Sequence, residues 1–78
     1  MRLRVTCTYR YVLAASTDDK GILTLAHEES GGGQSRDLEA DSVQAALDAM
    51  EHYMRDRFAA TSVTFERVDF LPESGPNG

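Results

Sequence analysis

The chain has one cysteine, Cys7, among its 78 residues, so no disulfide can close within it. Secreted domains of this size usually depend on such cross-links, and a reducing, cytoplasmic setting is therefore expected. Long apolar runs are also missing. The longest, residues 11–15, falls far short of the ~18 residues of a membrane-spanning helix, so no membrane partner is expected. The opening Met-Arg-Leu-Arg-Val is not followed by an apolar run of signal-peptide length. Cys7, His27 and His52 match no zinc-ligand spacing, and neither a metal nor another cofactor is expected. Basic residues are in the minority, with eight Lys and Arg against thirteen Asp and Glu and a net charge of −5. That balance opposes direct binding of free nucleic acid, whose affinity comes largely from cations placed on phosphates. The length excludes a TIM barrel or a two-half Rossmann enzyme. It fits one small domain, expected over residues 1–71, with the polar residues 72–78 as a disordered tail.

What is present is a clear alternation. Leu3, Val5, Cys7, Tyr9, Tyr11 and Leu13 hold the odd positions of residues 2–13, and Arg2, Arg4, Thr6, Thr8 and Arg10 hold even ones. A period of two with β-branched and aromatic residues predicts a half-buried strand. Thr17-Asp18-Asp19-Lys20-Gly21 predicts a turn, and residues 22–27 a second, antiparallel strand. Gly31-Gly32-Gly33 predicts a flexible loop tip, followed by a short strand at residues 35–38. Over residues 41–58, Val43, Ala46, Leu47, Met50, Tyr53, Met54 and Phe58 recur at helical spacing. Asp41 is expected to cap that helix, with Gln44 completing a capping box. Residues 61–71 form a last strand whose apolar phase changes near Glu66-Arg67, which calls for a bulge or a two-sided strand. The order β-β-(β)-α-β predicts an α+β two-layer sandwich. Its three- or four-stranded, mainly antiparallel sheet carries one amphipathic helix on one face and leaves the other face uncovered. The expected core is Leu3, Val5, Cys7, Tyr9, Leu23, Leu25, Val43, Leu47, Met50, Met54, Phe58, Val63 and Phe65.

Reactive chemistry finds little support. Cys7 sits mid-strand on the inward face, where a small buried hydrophobe is expected rather than a thiolate. The adjacent pairs Asp18-Asp19 and Glu28-Glu29 point to opposite sides of an extended chain and make no acid/base dyad. The glycine run does not lead into a helix N-terminus, and Asp37, Glu39 and Asp41 beside it would repel a phosphate. No catalytic residue is assigned and no enzyme is expected.

The charge layout is more informative. Residues 1–27 carry a positive balance and residues 28–78 a strongly negative one, so a bipolar surface is expected. Arg2, Arg4 and Arg10 line the outward face of the first strand over about 26 Å. Asp37, Glu39, Asp41, Asp48 and Glu51 are expected to form an acidic patch at the helix start and along its exposed side, although acids near a helix N-terminus also stabilise it. These eight residues are the candidate partner-binding set. The acidic group suits a basic surface on a protein or ribonucleoprotein. The arginine row could instead meet phosphates or a partner, or be solvated and paired with cross-strand carboxylates such as Glu66.

The hairpin, the Gly/Ser turn, and Arg36-Asp37-Leu38 leading through Asp41-Ser42 into an amphipathic helix resemble the small inhibitors that phages encode against bacterial defence, anti-CRISPR proteins in particular. The resemblance covers residues 10–58. It implies a non-enzymatic, stoichiometric blocker in the host-cell cytoplasm, one that binds a CRISPR surveillance complex and hinders DNA recognition or nuclease recruitment. The helix opening Asp-Ser-Val-Gln-Ala-Ala-Leu is similar to antitoxins of the HicB kind. That similarity implies the alternative, a nucleic-acid-binding regulator using the arginine row. The β-β-α-β order also fits a β-grasp fold. Self-association is a further expectation: an uncovered sheet face, or the edge of the first or last strand, could pair across a two-fold axis, with Val12, Val68 and Phe70 of suitable parity.

Overall fold

A computed structural model describes residues 1–72 of the chain. The first strand, β1 (Arg2–Leu13), is the centre of the sheet. Two short strands, β2 (Ser16–Thr17) and β3 (Leu23–Thr24), follow it, and then a long one, β4 (His27–Glu39). Helix α1 (Val43–Phe58) leads into the last strand, β5 (Ala60–Leu71). The main sheet has the order β4-β1-β5 and is antiparallel throughout, while β2 and β3 make a separate two-stranded ribbon. The fold is thus α+β, with one helix on a three-stranded sheet.

Alternation along β1 sets the layers. Leu3, Val5 and Cys7 are completely buried against Ala46, Met50 and Met54 of α1, and Ala60 closes the same core. Tyr9, Leu38, Ala40, Leu47, Tyr53, Phe58, Val63, Phe65 and Val68 pack around it, partly buried. Arg36 lays its guanidinium over the Tyr53 ring, 3.9 Å from the centroid, which holds β4 to the helix by a cation–π contact. The helix begins at Ser42, whose Oγ accepts the Ala45 amide at 3.1 Å. The cap is therefore Ser42 and not Asp41, and Gln44 turns to Asp48 instead of closing a capping box. Ala59 ends the helix in the left-handed region, at φ 52°, with its amide bonded to the Met54 carbonyl.

Of the two expected sources of the phase change, a bulge or a two-sided strand, the bulge is the one present. Thr6 faces Arg67 and Cys7 faces Phe65, so Glu66 is the extra residue. This keeps Val63 and Phe65 on the same face as Val68 and Phe70, opposite Tyr9, Cys7, Val5 and Leu3 in turn.

Three expectations are corrected. The glycine run is not a loop tip, because β4 passes straight through it, with Gly31 opposite Tyr9 and a register shift before Gln34. A side chain on Gly31 would collide with the Tyr9 ring, so the absence of a side chain is what the close ring requires, and the ring shields the bare backbone in return. Leu23 and Leu25 are not core: they are 59% and 70% exposed. Val43, at the first turn of α1, is also exposed. The expected tail lies outside the described residues apart from Pro72.

The shape explains Leu23 and Leu25. A compact chain of this length has a radius of gyration near ~12 Å, whereas this one has 17.2 Å and extents of 62 × 22 × 18 Å. β5 reaches only to Tyr11. Beyond it, residues 12–28 form a two-stranded arm, and among the described residues no third strand and no helix covers it.

Candidate functional site

The arm is built from ordinary hairpin chemistry. At its tip Asp18 organises the turn: its Oδ1 accepts the amides of Lys20 and Ile22, both at 2.9 Å, and its carbonyl accepts the Gly21 amide. Gly21 takes φ 82°, a conformation that costs glycine little. At the root, Arg10 Nε bonds Glu28 and its Nη1 bonds Ser30. Tyr11 donates its hydroxyl to Glu29 Oε2 at 3.2 Å, and His27 Nε2 lies 2.9 Å from Glu29 Oε1. His27 Nδ1 also meets the Leu25 carbonyl at 3.0 Å. The Leu25 carbonyl, and then Glu29, hold the His27 pKa above its ordinary value. His27, and then Tyr11, hold the Glu29 carboxyl below its own, and the bond to Glu29 raises the Tyr11 phenol.

Between tip and root, every residue from Val12 to Glu29 is exposed. Five of the eight large hydrophobic side chains left exposed by the fold lie here: Val12, Leu13, Ile22, Leu23 and Leu25. Isolated surface leucines are ordinary, but here five large apolar side chains gather on one projecting element. The same stretch carries Asp18, Asp19, Glu28 and Glu29 against Lys20 alone. The arm is therefore apolar along its length and acidic at both ends.

The expected charge patches are arranged differently. Arg2, Arg4 and Arg10 do share the open face of the sheet, as alternation requires, but β4 and β5 interleave them with carboxylates. Arg2 stands opposite Glu39, and Arg4 between Asp37 and Asp69. Arg4 Nε meets Asp37 Oδ1 at 2.7 Å. That bond holds the Asp37 carboxyl below its usual range and raises the Arg4 pKa. Arg67 pairs with Asp69 at 2.9 Å on the same face. The open face is a ladder of alternating charge and not a basic stripe. The acidic group is divided as well. Asp37 and Glu39 lie on the open sheet face and Asp41 in the connection, while Asp48 and Glu51 lie on α1 across the sheet, engaged with Gln44 and Arg55. The strand period sets Asp37 and Glu39 on the open face, and the helix carries Asp48 and Glu51 to the other side of the sheet.

Cys7 is fully buried. Burial, and then the charge of Glu66, pushes its thiol pKa up, the reverse of the shift a nucleophilic cysteine uses. Among the described residues there is no cavity, no group of three or more metal-ligating side chains, and no helix long and apolar enough to cross a membrane. Sequence reading missed the arm because alternation at residues 22–25 tells which side chains share a face and not whether anything covers them. The signal available was the length of the first strand relative to the single helix.

Comparison with protein-family models, with curated proteins and with solved structures finds no match to the chain.

Proposed function

We propose that the chain is a non-enzymatic protein-binding module whose projecting arm enters a partner's surface. In this reading it acts as a stoichiometric blocker of the anti-CRISPR kind that its layout resembles. The observation that carries the proposal is the concentration of Val12, Leu13, Ile22, Leu23 and Leu25 on an arm without cover in the fold. Such side chains gain most when a partner removes them from water, at about 25 cal/mol per Å² of apolar surface. The acids at the arm's two ends select the partner's chemistry: an apolar cleft with a basic rim, such as a nucleic-acid channel in a protein or ribonucleoprotein offers. The alternative use of the arginine row on nucleic acid is less favoured, because Arg4 and Arg10 already hold carboxylates.

The test is phage interference. Cells carrying an active CRISPR system and a phage-targeting guide are given either the wild-type chain or an Ile22→Ser, Leu23→Ser, Leu25→Ser variant. Wild type should restore plaque formation and the triple variant should not, with both folded alike by circular dichroism. Failure of wild type across several system types would refute the anti-CRISPR reading. Full protection by the triple variant would refute the arm as the binding element. A gel shift with DNA or RNA at low salt, lost on Arg2, Arg4 and Arg10 replacement, would favour the alternative.

A further inference from the structure

β5 is an edge strand, because among the described residues it pairs only with β1. Its start is screened by Arg55, whose Nη1 reaches the Ala60 and Thr61 carbonyls at 3.5 and 3.3 Å. From Ser62 to Leu71 no other strand among the described residues pairs with this edge. Such a row of backbone groups is a template for another strand unless something opposes it.

The side chains of this edge match themselves. Rotating the strand by a two-fold axis centred between Glu66 and Arg67 sets Glu66 against Arg67 of a second copy and Arg67 against its Glu66. Phe65 then meets Val68, Val63 meets Phe70, Thr64 meets Asp69 and Ser62 meets Leu71. Both apolar pairs occur twice and so does the ion pair. In a regular strand, residues whose numbers add to an odd sum lie on opposite faces, and this register would be impossible. The Glu66 bulge removes that obstacle: Val63, Phe65, Val68 and Phe70 all share the helix-bearing face. Phe70 is 68% exposed, and pairing would give it an apolar neighbour. Moving the centre one residue toward Phe65 sets Phe65 against Glu66 and Phe70 against Thr61, which selects the first register.

We propose that two copies of the chain join antiparallel along residues 62–71 of β5, about an axis between Glu66 and Arg67. The product is one six-stranded antiparallel sheet in the order β4-β1-β5-β5-β1-β4, with both helices on one face and the two arms at opposite ends.

Sedimentation equilibrium of the full chain at tens of micromolar tests this. Wild type should dimerise. Glu66→Arg or Arg67→Glu alone should weaken the dimer about tenfold, since each change turns two attractive cross-strand pairs repulsive. The swap carrying both changes should restore it. The register is read separately with Thr64→Cys and Asp69→Cys in a Cys7→Ser background. Oxidation should link two chains covalently, because the two positions stand opposite Thr8 and Arg4, about 13 Å apart along one strand, and cannot bridge within it. A monomeric wild type, a swap no stronger than the single variants, or a failure to cross-link would each overturn the proposal.

Discussion

The body and the arm of this molecule are made from similar residues and treat them in opposite ways. In the body, Leu3, Val5 and Cys7 alternate along β1 and are completely buried beneath α1. In the arm, Leu23 and Leu25 alternate in the same manner and stand in water. The difference is cover. A 16-residue helix is about 24 Å long, while a hairpin reaching from Arg2 to Lys20 spans about 59 Å at strand spacing. One helix can bury less than half of such a hairpin. The buried core of the fold is therefore concentrated at one end and most of its exposed apolar surface at the other.

The two ends should differ most in what the loss of one apolar side chain costs. Met50→Ala removes a fully buried side chain from the body and should cost about 2–5 kcal/mol, enough to unfold much of a small domain. Leu25→Ser in the arm should change stability by less than about 0.5 kcal/mol. Urea unfolding of the two variants measures both. Equal losses would mean that the arm is part of the cooperative core.

Gly31 marks the border between the two regions. Its ring neighbour Tyr9 sits 5.2 Å from Phe58 and 5.9 Å from Tyr11, centroid to centroid, so the ring has little freedom to yield. Gly31→Val should cost about 1–3 kcal/mol by overpacking. It should also shift the tyrosine resonances, which locates the strain. Gly32 and Gly33 have open space where a side chain would go, and alanine there should be far milder.

A smaller effect with the opposite sign is expected at Ala59. Its left-handed conformation costs an L-residue about 1–2 kcal/mol, partly offset by the greater entropy glycine loses on folding. Ala59→Gly should therefore stabilise the body by about 0.5 kcal/mol, seen as a higher urea midpoint with an unchanged slope.

Much of the body was legible from the sequence because its signals are local. The alternation of Leu3, Val5 and Cys7, the helical spacing of Ala46, Met50 and Met54, and the phase change at Glu66 each report a backbone geometry directly. The rest depends on partners far along the chain. Gly31-Gly32-Gly33 reads as a loop until Tyr9 is laid across it, and Arg4 reads as free cationic surface until β4 brings Asp37 alongside. Leu23 and Leu25 read as core because periodicity assigns a face without saying what lies over it. The acidic candidates failed to gather for a related reason: Asp37 and Asp48 are eleven residues apart but belong to opposite layers.

The finest distinction between arm and body is electrostatic, at the root where the arm leaves the sheet. His27 makes two contacts, Nδ1 to the Leu25 carbonyl and Nε2 to Glu29. Both can be donations only when the ring carries two protons, so its pKa is raised, first by the carbonyl and then by Glu29. A raised folded-state pKa gives stabilisation that is complete below the unfolded value, about 6.5, and is lost as pH rises through the folded one. Glu29 has the opposite sense. Its pKa is lowered, so its contribution is complete above the unfolded value, about 4.3, and is lost as pH falls through the folded one. The two windows overlap between those unfolded values, where the arm root should be most firmly held, and both groups are exposed enough that the core should not notice. Histidine NMR titration should place His27 above 6.5, and Glu29→Gln should lower it without returning it fully, because the Leu25 carbonyl remains. A His27 titration indifferent to Glu29→Gln would remove the carboxylate from the root. The arm would then be held there by Arg10 and backbone pairing alone.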